Sequence, residues 1–276
     1  FSSLKQIGIS RTKPRGCRGG QKRQPGTSLS TNTIPVIELS KPKIATRSIS
    51  GINRSNLIPI QTNKEPSAAT HIDACLINAR SVNNKSDELC EFIIDNDIDI
   101  FAITETWLSS NSSTNKATLG SLLPTGYSIL HTPRCRERGA SRGGGVGVVY
   151  KSNLAFLKQE SKCYTSFEHI ECLLKTGNDC LRIIVLYRAP SSSIVGQPMS
   201  VFFEEFADLI DSHTTTSGRL LLCGDFNIHV DDDSDKEGTC FKELAYSMNL
   251  VQHITSPTHR SHHILDLVFT RRFLTY

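Results

Sequence analysis

The sequence has no long apolar run, no paired-cysteine pattern and, over its first seventy residues, almost no acid. Its strongest apolar stretches, from Leu181 to Tyr187 and from Leu220 to Cys223, are far shorter than the roughly 18 residues of a membrane-spanning helix. That excludes a helical span and predicts no membrane partner. The opening Phe1-Ser-Ser-Leu-Lys5 has neither an initiator Met nor the apolar core of a signal peptide. The chain is therefore expected to be nuclear or cytoplasmic, not secreted, and its start to belong to a fragment. Nine cysteines are scattered without a C-x-x-C pair. Most stand in apolar runs, where a thiol packs as a small hydrophobe, so reduced core cysteines are expected. No internal repeat is present.

The shortage of acid is local. Residues 1–70 hold 12 lysines and arginines against only Glu38 and Glu65, a net of +10, whereas the remaining 206 residues hold 19 against 25 acids, a net of −6. The first segment is rich in Ser, Thr, Asn and Pro and carries too little apolar material to offset the entropy of ordering its backbone. Residues 1–70 thus read as a disordered basic arm. Its cluster from Arg11 to Arg23 suits either salt-sensitive contact with nucleic-acid phosphates or a solvated linker.

From residue 71 short apolar runs alternate with amphipathic segments, the grammar of a single α/β domain over 71–276. Strands are expected at 71–78, 98–104, 146–150, 163–174, 180–187, 219–224 and 264–269. Helices are expected at 86–96, behind a Ser86 cap, at 200–211 and at 240–248. Residues 109–116 read as a polar loop, and Gly177-Asn-Asp179 as a turn.

Several of these apolar runs stop at a polar residue. Gly224-Asp-Phe-Asn227 ends a buried strand with a carboxylate and an amide two positions apart, a pair suited to activating water and holding a phosphate oxygen; an ordinary turn uses the same residues. Glu105, in Ile103-Thr-Glu-Thr-Trp107, stands in the same position after another strand. It is either a surface residue or a carboxylate for a hard cation that keeps places for water and phosphate. Asn78, in Leu76-Ile-Asn-Ala-Arg80, follows a third strand. Gly143-Gly-Gly-Val-Gly147 precedes a strand and opens no helix, so it reads as a tight turn and not a dinucleotide fingerprint. Asp231-Asp-Asp-Ser-Asp235 lacks the spacing of a Ca²⁺ loop and reads as solvated. His259, His262, His263 and Cys240 match no zinc spacing. Trp107 is expected to anchor the core, with a base-stacking platform as the alternative.

Leu76-Ile-Asn-Ala-Arg-Ser, Asp99-Ile-Phe-Ala-Ile-Thr-Glu-Thr-Trp-Leu108, Arg142-Gly-Gly-Gly-Val-Gly-Val148, Leu222-Cys-Gly-Asp-Phe-Asn227 and Leu265-Asp-Leu-Val-Phe-Thr270 occur in this order over about 200 residues. Together with Leu186-Tyr-Arg-Ala-Pro190, they resemble the endonuclease/exonuclease/phosphatase superfamily, and within it the endonuclease domain of non-LTR retrotransposons. The resemblance implies two stacked mixed β-sheets flanked by helices, a four-layer α/β sandwich with the cleft at one end. It also implies hydrolysis of DNA phosphodiesters with Mg²⁺ or Mn²⁺. Glu105 would bind the metal with Asn78 beside it, and Asp225 would orient or deprotonate the attacking water. Asn227 and Tyr187 would contact the phosphate, and Thr258 would line the cleft. Arg134, Arg136, Arg138, Arg142 and Lys151 are the candidate DNA contacts, and the basic arm a candidate contact for the element's RNA.

That family closes its domain with a Ser-Asp-His motif, whose His is oriented by an Asp matching Asp266. The motif does not occur before Tyr276. Loss of such a donor costs about 10²–10³ in rate, so weak or absent activity is expected, and a catalytically inactive nucleic-acid-binding module is the alternative. A phosphatase of the same superfamily is a third reading.

Overall fold

Burial on both faces of the central strands decides the layering. In the computed structural model the described residues are 36–38, as backbone alone, with 72–134, 143–177, 179–190, 197–213, 219–259 and 261–271. They form a five-stranded and a six-stranded sheet. The first sheet runs in the order β1 (Val36–Glu38), β2 (Asp73–Asn78), β3 (Ile100–Thr104), β5 (Val146–Lys151) and β4 (Tyr127–Thr132). Only β2 and β3 are parallel within it. Along β3, Ile100 and Ala102 belong to the large core, while Phe101 and Ile103 belong to a second cluster with Leu89, Phe92, Ile93 and Leu122. That alternation places α1 (Ser86–Asp95) and α2 (Ser112–Leu122) against the outer face and the other sheet against the inner one.

The second sheet runs β10 (Leu250–Gln252), β11 (Asp266–Arg271), β9 (Arg219–Asp225), β8 (Asp179–Tyr187), β7 (Glu168–Thr176) and β6 (Ala155–Lys158). Only β8 and β9 are parallel. The crossover between them carries α3 (Met199–Asp211), and α4 (Lys236–Ser247) follows β9. Phe202 and Phe206 of α3 and Phe241 of α4 form an aromatic cluster against the sheet with Phe226 and Phe269. The result is the expected four-layer α/β sandwich.

Local departures from the expected elements have identifiable causes. Residues 109–116 are not all loop: Asn111 caps α2 by accepting from the Ser113 amide at 3.0 Å. The helix has almost no apolar stripe, so periodicity does not reveal it. α4 starts four residues earlier than expected because Asp235 accepts from the amides of Glu237 and Gly238. Ser86 is the first helical residue of α1 and makes no cap; the N-cap is Lys85. Of the described cysteines, Cys75, Cys172 and Cys223 are buried while Cys163 and Cys240 are exposed, and all are free thiols.

Gly224 lets β9 lie close to β8. A Cβ there would collide with the carbonyl oxygen of Leu186, a backbone atom that no rotamer change can move. Gly224→Ala should therefore cost at least about 2 kcal/mol. At about 2–4 °C per kcal/mol for a domain of this size, differential scanning calorimetry should show a Tm at least about 4 °C lower.

Candidate active site

Strand register gathers polar side chains at one end of each sheet. Glu168 begins β7, Tyr187 ends β8, Asp225 ends β9 and Asp266 begins β11, and each is the register partner of the next. Partners across adjacent strands share a face, so the four form one row. In the other sheet Asn78 ends β2 opposite Thr104, and Glu105 follows Thr104. The two ends meet at Asn78, whose Nδ2 donates to Glu105 Oε1 at 3.0 Å and to Asp225 Oδ2 at 2.5 Å. Three residues that stop separate apolar runs are thus one cluster.

The turn after β9 is fixed from behind. Phe226 is fully buried in the aromatic cluster, which sends Asp225 and Asn227 to the opposite side. Asn227 is left-handed at φ +50°, and its amide donates to Asp225 Oδ1 at 3.1 Å. Its Nδ2 donates to the Arg188 carbonyl at 2.7 Å, leaving the second amide hydrogen for another acceptor. Arg188 returns the contact: its Nη1 donates to the carbonyls of Phe226 and Asn227 at 3.3 and 3.2 Å, and its guanidinium lies 5.3 Å from the Phe202 ring centre. Thr258 is buried, and its Oγ1 accepts from the amides of Leu265 and Asp266 at 3.0 Å each. It therefore sets the start of β11 and the position of Asp266.

Burial pushes the Asp225 carboxyl well above the usual range, and the neighbouring Asp266 adds to this; the Asn78 hydrogen bond works against it. Asp266 is pushed up to about 7, also chiefly by burial, against the pull of Thr258 and Arg80. Tyr187 is driven upward by burial and then by the charges of Glu105 and Asp225. Asp266 Oδ1 is buried with no hydrogen-bond partner among the described residues. No three His, Cys, Asp or Glu side chains among those residues converge into a closed metal cage. The carboxylates of Glu105 and Asp225 and the amide oxygen of Asn78 could offer oxygen ligands to a cation. Such a set fits a hard divalent ion that takes one or two carboxylates and fills its remaining positions with water and phosphate.

The candidate DNA contacts are dispersed. Lys151 lies at the other end of β5, paired with Asp97 at 2.8 Å and Asp99 at 2.7 Å. Arg134 is mostly buried, pairs with Glu168 and lies 5.8 Å from the Tyr187 ring centre. Arg136, Arg138 and Arg142 fall outside the described residues, as does the arm apart from β1. Trp107 is not a core anchor: it is 42% exposed, and its Nε1 donates to Glu105 Oε2 at 3.2 Å. Its own φ of +56°, next to Glu105 at +52°, turns the chain outward instead of continuing β3 inward. Sequence reasoning also missed Arg188, Glu168 and Arg80. The signal for Arg188 was its place directly after Tyr187; for Glu168 there was none, because its partner is 34 residues away.

The model of the Endonuclease/Exonuclease/phosphatase family matches residues 73–276. The chain belongs to this family. No curated protein sequence matches it. Among solved structures, the endonuclease domain of TRAS1, a telomere-specific non-LTR retrotransposon, superposes with a TM-score of 0.54 at 13% identity, covering 71% of this chain and 82% of that one. The AP endonuclease LMAP from Leishmania major gives 0.53 at 16%, covering 83% and 88%. A mannosyl-6-phosphatase from Bacteroides thetaiotaomicron gives 0.51 at 14%, covering 72% and 85%. At these identities the likeness is one of fold, and the fold serves more than one substrate class.

The Arg188 contacts carry a prediction. Arg188→Lys keeps the charge and loses the planar fork. Urea unfolding should show a loss of about 1–3 kcal/mol, and amide exchange at Asn227 should quicken as the turn loosens.

Proposed function

We propose that the chain hydrolyses phosphodiester bonds in DNA, as the endonuclease domain of a non-LTR retrotransposon, with Mg²⁺ or Mn²⁺ as its cofactor. The reading is carried by the Asn78 bridge between Glu105 and Asp225, because it joins a candidate cation ligand to a candidate base at the meeting point of two sheets. The ordered retroelement motifs and the likeness to two endonuclease structures support it.

Glu105 and Asn78 would hold the cation, which when bound offsets charge growing on the phosphate oxygens. Asp225, in its ionised form, would take the proton of the attacking water as the new P–O bond forms. The free amide hydrogen of Asn227 and the Tyr187 hydroxyl would steady the phosphate, and Asp266 would position a further donor through its unpartnered Oδ1. Thr258 keeps Asp266 in place. Fixed donors of this kind act without reorganising as the charge develops. The basic arm would add sequence-independent affinity for DNA or for the element's RNA, consistent with a nuclear protein.

Nicking of supercoiled plasmid by the full chain should require Mg²⁺ or Mn²⁺ and stop with EDTA. Asp225→Ala should slow it at least about 100-fold, whereas Glu105→Gln should also weaken Mg²⁺ binding in calorimetry. If the parent protein binds DNA and never nicks it, the inactive nucleic-acid-binding module replaces this reading.

A further inference from the structure

Trp107 combines two properties that rarely coincide. It is one of the few large apolar side chains left exposed among the described residues, and its indole N–H is committed to Glu105 Oε2 at 3.2 Å. Its amide donates to the Gly144 carbonyl at 2.9 Å, and a Cβ on Gly143 would lie 3.7 Å from Nε1. The ring therefore rests against a strip of chain that has no side chains. The same glycine strip runs to Arg134: a Cβ on Gly144 would collide with that guanidinium, which reaches toward Tyr187. An exposed indole, a glycine backbone and the mostly buried Arg134 guanidinium thus adjoin one another in that order beside Glu105. A small phosphate ester needs only the carboxylate end, whereas an exposed aromatic beside it suits a flat ring attached to the phosphate.

We propose that Trp107 stacks on a nucleobase next to the scissile phosphate and, through Nε1, positions Glu105 for the cation. The inference rests on the phosphodiesterase reading and narrows its substrate to a polynucleotide with an unstacked base. Stacking on an aromatic is tolerant of sequence, because every base offers a π-face. The hydrogen bond to Glu105 removes a rotamer choice from a carboxylate that would otherwise swing, as partners behind metal ligands do. Trp107 is in this respect a positioning residue, and in the first respect a specificity residue.

The chain holds a single tryptophan, so its intrinsic emission reports this residue alone. The full protein would be titrated in EDTA with a fluorescein-labelled single-stranded oligonucleotide and with an abasic strand of the same length, with anisotropy measuring binding independently. Emission should be quenched by the base-bearing strand and not by the abasic strand at equal saturation. Added Mg²⁺ alone should shift the emission of the parent protein and not that of Glu105→Gln. In cleavage assays Trp107→Phe, which keeps the ring and loses the N–H, should lower kcat about tenfold on the base-bearing strand and on the abasic strand alike, with KM for the base-bearing strand unchanged. Trp107→Ala should in addition raise KM for the base-bearing strand between about fivefold and about a hundredfold, with no added effect on the abasic strand.

Unchanged emission while anisotropy shows bound DNA, or an unchanged KM in Trp107→Ala, would overturn the stacking role. An unaltered kcat in Trp107→Phe would overturn the positioning role. Failure of the parent protein to bind any strand by anisotropy would instead remove the phosphodiesterase reading itself, and this inference with it.

Discussion

One side-chain amide connects the two halves of the sandwich at their functional end. Asn78 reaches from the last residue of β2 to Glu105 in its own sheet and to Asp225 in the other. For one nitrogen to serve both carboxylates, the two sheets must end at the same height. The packing between them enforces this: Leu76, Ala102 and Val148 on one side meet Leu186 and Leu222 on the other in a common core. The close approach at Gly224 then brings Asp225 level with Tyr187. Two carboxylates left unpaired in such a place would be strongly unfavourable. Here burial pushes the carboxyls of Asp225 and Asp266 upward, and the Asn78 side chain and the Asn227 amide work against this at Asp225, as the Thr258 hydroxyl does at Asp266. Burial thus favours the protonated carboxyls, and their ionised forms require a nearby positive charge.

Five of the eight non-glycine residues at positive φ among the described residues lie in the loops after β2, β3 and β9. Arg80, Ser81, Glu105, Trp107 and Asn227 are all non-glycine residues at positive φ, a conformation that costs on the order of 1 kcal/mol or more per residue. Hydrogen bonds hold them, some within one turn and some between segments. The Arg80 amide donates to Asn78 Oδ1, the Ser81 amide to the Glu105 carbonyl, and the Trp107 amide to the Gly144 carbonyl. The strain is thus spread over the loops after β2, β3 and β9 and is sustained by mutual contact. It turns Glu105 toward Asn78 and Trp107 toward solvent, which an unstrained continuation of β3 would not do.

The sequence made most of the frame legible because the strands beside the site are buried on both faces and read as apolar runs that stop at a polar residue. β2, β3, β8 and β9 announce themselves in this way, and so do Asn78, Glu105 and Asp225. What periodicity could not disclose is structure held by polar contacts. α2 depends on the Asn111 cap, α4 on Asp235, and β4 has six half-buried residues with no clear alternation. The supporting residues were hidden for a related reason. Arg188 and Glu168 are buried charges whose partners are distant in the chain; only its place after Tyr187 marks Arg188, and nothing local marks Glu168. Trp107 was misjudged because a large aromatic after a buried strand normally continues inward, and the left-handed turn that reverses it leaves no mark in composition.

The substrate question turns on the wall of the cleft more than on its floor. A floor of Asn, Glu and Asp treats any phosphate ester alike, and solved structures of the same fold include both endonucleases and a sugar phosphatase. Selectivity must therefore come from side chains that meet what is attached to the phosphate. Among the described residues the cations offered for DNA by the sequence are already engaged: Lys151 by two aspartates at the far end of its strand, and Arg134 by Glu168. A polyanion could still recruit Arg134, but only by competing with a buried carboxylate. The exposed indole faces no such competition, since its N–H contact with Glu105 leaves the ring itself available. Recognition at this site is then better served by stacking than by charge.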